Sequence, residues 1–199
     1  MRIPKSFITS VKHVAPAGRV VLATLLLAGF ILAIFAVNTH NVQAYDLTKT
    51  KNKGFEKDSD GNGIPNAWFK LIAPASDKRV CTQSYAGSCS YKMVGDGSDN
   101  WLYQTTLYSS GPAGIEATIS AYTKGKSIGG IARVWVTFNH SDGSQNSVYL
   151  SLPAGSSPWT YRQASGNADE AFDSMTIWLE TDGSGKMWVD NVGLWAVAP

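Results

Sequence analysis

Arg133-Val134-Trp135-Val136-Thr137-Phe138 is the stretch on which the reading of the fold turns. Side chains of an extended strand point alternately to opposite sides, so if Val134, Val136 and Phe138 face a core, Arg133, Trp135 and Thr137 face away from it. The same period of two appears upstream, where Ile115, Ala117, Ile119 and Ala121 alternate with Glu116, Thr118, Ser120 and Tyr122. It recurs in Val148, Leu150 and Leu152, and again in Met175, Ile177 and Leu179. Turn-forming residues separate these runs at Gly125 to Gly130, Asn139 to Gly143, Gly155 to Pro158 and Thr181 to Gly185. No stretch beyond residue 44 offers apolar residues at helical spacing over about ten residues or more. Many short strands divided by turns predict an all-β antiparallel sandwich or barrel.

The outward faces of these strands carry the functional signal. Trp135, Tyr149 and Trp178 all fall on the side away from the core, with Arg133 and Glu180 on neighbouring strand positions. One reading covers these rings with a second layer, a loop or a partner, since aromatic pairs also stabilise sheets across strands. The other reading makes them an open platform that stacks on the apolar face of a sugar ring while Arg133 and Glu180 bond its hydroxyls.

Charge and composition divide the chain. Residues 1–44 hold Arg2, Lys5, Lys12 and Arg19 and no acid, which leaves 13 basic and 15 acidic residues from Tyr45 onward. The formal +2 of the whole chain therefore becomes minus two for residues 45–199, without the basic excess of a nucleic-acid binder. An apolar run from Val20 to Val37, interrupted by Thr24, precedes Val42-Gln43-Ala44, with compact residues where a cleavage site before Tyr45 needs them. This pattern predicts a secretory signal peptide over residues 1–44, or an anchor if it stays uncleaved, and an exported, secreted or surface-held domain over 45–199. A membrane contact follows only in the uncleaved case.

Cys81 and Cys89 are the only cysteines. In an exported chain an even count predicts a disulfide, and two thiols without a nearby histidine do not close a zinc shell.

Two segments bring a family into view. The first is Asn52-Lys53-Gly54-Phe55-Glu56 followed by Asp58-Ser59-Asp60-Gly61-Asn62-Gly63-Ile64-Pro65-Asn66-Ala67-Trp68; the second is Gly185-Lys186-Met187-Trp188-Val189-Asp190-Asn191-Val192-Gly193-Leu194. Together they resemble the first and last strands of galactose-binding-like jelly rolls, in particular carbohydrate-binding modules of families 4, 9 and 22. Ser90 to Gly97 with Leu102 and Gln104, and Gly114 to Lys124, resemble the strands between. The resemblance implies a two-sheet jelly-roll sandwich that binds glycans and performs no chemistry. It also implies a structural calcium held by Glu56 and Asp190, and hard oxygen ligands on paired terminal strands suit that ion. Asp58, Asp60 and Asn62 begin like a calcium loop, but Phe69 stands where its bidentate glutamate belongs, and a turn whose acids bond their own backbone reads equally well.

Enzymatic chemistry finds little support. Glycoside hydrolysis needs a positioned carboxylate pair. Glu180-Thr181-Asp182 begins such a run, but Ser184 and Gly185 stand where the next acid would fall. His140, the single histidine after residue 44, sits in a turn beside Asn139. The expectation is a non-catalytic glycan binder, with a structural or adhesive protein that assembles through the same aromatic face as the alternative and a glycan hydrolase third.

Overall fold

The computed structural model describes residues 44–45, 50–105 and 110–197, so the expected leader lies outside the described residues apart from Ala44. The described residues form β1 (Ala44–Tyr45), β2 (Phe69–Ile72), β3 (Lys78–Val80), β4 (Ser90–Asp96), β5 (Asn100–Thr105), β6 (Glu116–Gly129), β7 (Ala132–His140), β8 (Gln145–Ser151), β9 (Gly155–Asn167), β10 (Phe172–Thr181) and β11 (Ser184–Val197). All pairings are antiparallel. A front sheet runs in the order β2-β5-β10-β7-β8, and a back sheet in the order β3-β4-β11-β6-β9, with β1 also on β11. This is an all-β jelly-roll sandwich.

The period-two runs become the inner layers of the two sheets. Val134, Val136 and Phe138 of β7 and Met175, Ile177 and Leu179 of β10 are fully buried, and they share one core with Ile119 of β6, Tyr91 and Met93 of β4, and Val189 and Leu194 of β11. Burying side chains of this size contributes roughly 1.5–3 kcal/mol each, which is what holds the sheets face to face. The sheets are joined by very tight turns. Gly183, between β10 and β11, has φ 99°, and a Cβ there would lie 2.1 Å from the Gly129 carbonyl oxygen, so only glycine lets these two backbones touch.

Four segments depart from the sequence reading, one of them Asn139 and His140, which end strand β7 rather than opening a turn. Residues 125–129 form no separate turn but the bulged end of β6, whose register against β9 shifts between Thr123 and Gly125 and between Gly125 and Ile128, and the turn shrinks to Gly130 and Ile131. Gly155 to Pro158 opens β9 rather than forming a loop. Thr181 and Ser184–Gly185 likewise belong to strands, which reduces that turn to Asp182-Gly183. Strand β9 has no clean hydrophobic alternation because it is an edge strand with no fully buried residue, and its inner positions are held by Thr160, Arg162, Ala164 and Gly166. Buried Gln104 ties the segment before β2 to β5, its amide donating to the carbonyls of Lys51 and Ala67 and its Oε1 accepting the Lys51 N–H.

Candidate binding face

Strand register places one residue from each front-sheet strand in a single line. Phe69 pairs with Tyr103, Tyr103 with Trp178, Trp178 with Trp135, and Trp135 with Tyr149. All five are aromatic. Neighbouring ring centroids along the line are 5.6, 5.0, 5.5 and 5.3 Å apart, and the Trp178–Trp135 and Trp135–Tyr149 pairs are stacked. Four strand spacings give the row a length of about 19 Å. Trp101 adds an edge contact to Trp178 at 5.9 Å. Phe69 and Tyr149 at the two ends are 55% and 46% exposed, so the row is open at its ends and half-buried in the middle by its own packing.

Three indole N–H groups, those of Trp101, Trp135 and Trp178, lie buried without a hydrogen-bond partner. An unpaired buried donor costs about 1–3 kcal/mol, and all three stand on this one face.

Polar groups border the aromatic line on both sides. On one side Arg133 and Glu180 stand directly opposite each other, with Arg133 donating from Nε to Oε2 at 2.6 Å and from Nη2 to Oε1 at 3.1 Å. The guanidinium also lies 4.4 Å from the Tyr149 ring and 5.3 Å from that of Trp135, a cation–π arrangement that orients both rings. Two bonds leave the guanidinium with unused N–H donors, while both Glu180 oxygens are engaged. On the other side lie Thr105, Thr176, Thr137 and Ser147 in register, with Asn139 donating to Ser174 Oγ at 3.0 Å and Thr176 Oγ1 at 3.1 Å. A tape of rings with neutral or internally compensated polar rims suits a ligand that has alternating apolar faces and hydroxyl edges.

The residues expected at this face from sequence are thus brought together. Trp135, Tyr149 and Trp178 are consecutive members of the row, and Arg133 and Glu180 border them. Phe69, Tyr103 and Trp101 complete it and were not expected there, because β2 and β5 show no long alternating run and their register is a property of pairing.

The Glu56–Asp190 pair occupies a different place, a cavity of about 540 Å³ lined also by Thr50, Asn52, Gly87 and Asn191. Cys81 and Cys89 are bonded and close the β3–β4 hairpin loop above it. The loop turns its amides onto the acids: Tyr85 and Ala86 donate to Asp190 Oδ2 at 2.8 and 3.0 Å, and Ser88 and Cys89 donate to Glu56 Oε1 at 2.9 and 3.2 Å. A Cβ on Gly87 would fall 2.1 Å from Glu56 Oε1, so the approach requires glycine. Burial raises the Asp190 carboxyl above the usual carboxylate range; the Ala86, Tyr85 and Asn191 amides oppose this, and the Glu56 charge adds to it. Thr50 Oγ1, buried on the same cavity wall, has no partner. Oxygens of Glu56, Asp190 and Thr50 on this wall are of the hard type that a calcium ion would take, with Asp190 Oδ1 already accepting the Asn191 amide at 2.7 Å.

Asp58, Asp60 and Asn62 are not on that cavity wall. Most of their oxygens hold their own turn, Asp58 Oδ2 accepting from the Gly63 amide, Asp60 from the Asn62 amide and side chain, and Asn62 Oδ1 from the Ile64 amide, while Asp58 Oδ1 is buried without a partner. His140 is buried, with Nδ1 3.1 Å from the Ala171 carbonyl oxygen and Nε2 3.0 Å from Asn146 Oδ1.

A family 16 carbohydrate-binding module-2 matches with a TM-score of 0.52 at 20% identity, over 67% of this chain and 96% of its own. The chain shares the jelly-roll fold of that module. The CBM22-1 xylan-binding domain from Paenibacillus barcinonensis matches with a TM-score of 0.53 at 15% identity, over 74% of this chain and 93% of that domain. The enzymatically active domain of tailspike protein 4 of bacteriophage CBA120 gives a TM-score of 0.53 at 13% identity, over 74% of this chain but 21% of that one. No protein-family model matches the sequence, and no curated protein matches it.

Proposed function

We propose that the front face is a binding platform for a neutral polysaccharide, and that the protein is an exported, non-catalytic glycan binder. The observation that carries this reading is the unbroken line Phe69–Tyr103–Trp178–Trp135–Tyr149, one ring per strand. A linear sugar chain lying across the strands stacks on successive rings, while unused Arg133 donors and the Thr/Ser/Asn rim bond its hydroxyls. The compensated Arg133–Glu180 pair leaves no net charge beside the row, which favours a neutral ligand. The likeness in fold to a xylan-binding domain agrees with this. The disulfide agrees with export.

Affinity electrophoresis of the full chain in β-glucan, xylan and mannan gels tests the reading. Retardation by at least one polymer, with a loss of about tenfold or more in Trp135→Ala and Trp178→Ala, which is about 1.4 kcal/mol, is the expected result. Mobility unaffected by all three polymers contradicts it. The rival use of the face, subunit assembly, draws support from Phe69, Leu71 and Ile72, which leave the β2 edge apolar and exposed. Light scattering on the same sample separates the two, because the platform reading expects a monomer.

A structural calcium at Glu56 and Asp190 is part of the proposal. It is supported by the convergence of the two carboxylates, the raised Asp190 carboxyl and the orphaned Thr50 hydroxyl. A cation bound only by the folded state adds apparent stability, so excess chelator lowers the melting temperature and added calcium restores it. An unchanged melting temperature assigns the two acids to the loop amides alone.

A further inference from the structure

The outer face of the back sheet carries a charge pattern that the front-face reading leaves unused. Across four strands, Lys78 pairs with Lys92, Lys92 with Trp188, and Trp188 with Lys124; beside that row Lys186 pairs with Lys126. Tyr91, Met93, Thr123, Met187 and Val189 alternate with these residues and are fully buried, which turns the lysines outward. Two lysine pairs therefore stand directly opposite each other, an arrangement that costs stability in a sheet. Among the described residues the one ion pair is Arg133–Glu180, and none of these five lysines shares in it.

Among the described residues no nearby carboxylate forms an ion pair with these lysines, although the Lys92 charge acts on buried Asp77. Asp96 spends Oδ1 on Ser98 and Asn100, Asp77 is buried and accepts the Val94 amide, and Asp190 holds the disulfide loop. A domain of net charge minus two thus concentrates five cations on one side.

Rings adjoin the lysines. Lys124 Nζ lies 5.6 Å over Trp188, and two positions earlier on β6 Tyr122 stacks at 3.4 Å on Tyr85 of the disulfide loop. Tyr161, directly across on β9, lies 5.2 Å from Tyr122, and Trp159 closes the group with an edge contact of 6.4 Å to Tyr85. Tyr85 and Tyr161 are both 47% exposed.

We propose that this face is a second binding site, for an acidic polysaccharide whose carboxylate or sulfate groups meet the lysine rows and whose ring faces meet the tyrosine cluster. Charge complementarity selects a polyanion, and the adjoining rings select one with apolar faces. Phosphate-rich nucleic acid fits less well. A duplex carries one phosphate charge per about 1.7 Å of its axis, which a domain of net charge minus two opposes more strongly than the sparser charge of an acidic polysaccharide, and its base faces are stacked away from the tyrosine cluster. The site stands apart from the front sheet and does not depend on the reading given for it.

The test is calorimetric titration of the full chain with polygalacturonate, its fully methyl-esterified form and a DNA duplex, at low and at moderate salt. The proposal expects binding to polygalacturonate that weakens about tenfold or more on raising the salt, absent with the methyl ester and weaker with DNA. It expects Lys92→Gln with Lys124→Gln to weaken that binding about tenfold while leaving neutral-glycan binding intact, and Trp135→Ala with Trp178→Ala to do the reverse. A matching melting curve shows that the lysine variant is folded. No binding to polygalacturonate at low salt, binding unchanged in the folded lysine variant, or tighter binding to DNA overturns the proposal.

Discussion

Asp77 shows how a single residue can carry a cost that the sequence hides. It is fully buried between β2 and β3, accepts the Val94 amide through Oδ1 at 2.7 Å and leaves Oδ2 without a partner. Burial outweighs that hydrogen bond and the nearby Lys70, lifting the carboxyl to about 6. The folded state therefore holds this proton more tightly than the unfolded state, and stability is greatest below the unfolded carboxylate range and falls as pH rises toward about 6. Asp77→Asn keeps an acceptor for Val94 without the charge. It is expected to raise stability at pH 7.5 by on the order of 1–3 kcal/mol and to flatten the dependence between pH 4 and 6.5, checked by denaturant titrations across that range. Legibility at this scale is uneven. Trp135 and Trp178 can be placed by counting alternate positions from Val134 and Ile177, but nothing in Asp77 or its neighbours announces that its side chain turns inward.

At the scale of elements, the loop between β3 and β4 does more than close a hairpin. Its disulfide fixes a backbone whose four amides face Glu56 and Asp190, and it sets Tyr85 against Tyr122. Spacing and compartment made the disulfide readable, and the resemblance brought Glu56 and Asp190 to one place; the encounter between the loop and the acids is a tertiary event with no local signal. Cys81→Ser with Cys89→Ser is expected to lower stability by about 2.5 kcal/mol by releasing loop entropy, with a further loss from weakened amide bonds to buried Asp190. Equilibrium denaturation against the parent checks this; a loss well under 1 kcal/mol means that the amides hold the loop without the bond. Strand β9 escaped the sequence reading for a related reason. Periodicity reports a face buried against a core, and an edge strand with Thr160, Arg162 and Gly166 on its inner side shows little of it.

For the whole molecule, the sandwich presents two unlike outer faces, a ladder of rings on the front and lysine rows beside tyrosines on the back. Four separated period-two runs pointed to a sandwich or a barrel, because burial on one face imposes that period wherever it occurs, and the resemblance narrowed this to two layered sheets. Order within each sheet is another matter. Phe69 and Tyr103 lie far from Trp135 in the chain, and only the sequence of strands β2-β5-β10-β7-β8 turns scattered aromatics into a line. That line is the centre of the functional account, and its length makes a quantitative demand. The most direct measurement is calorimetry of the full chain with oligosaccharides of increasing length from whichever neutral polysaccharide it retains. Affinity is expected to rise with each added sugar until the ligand spans the row of about 19 Å and then to level off, with Trp178→Ala at its middle abolishing the rise. Affinity that does not grow with length, or growth that survives Trp178→Ala, contradicts the account.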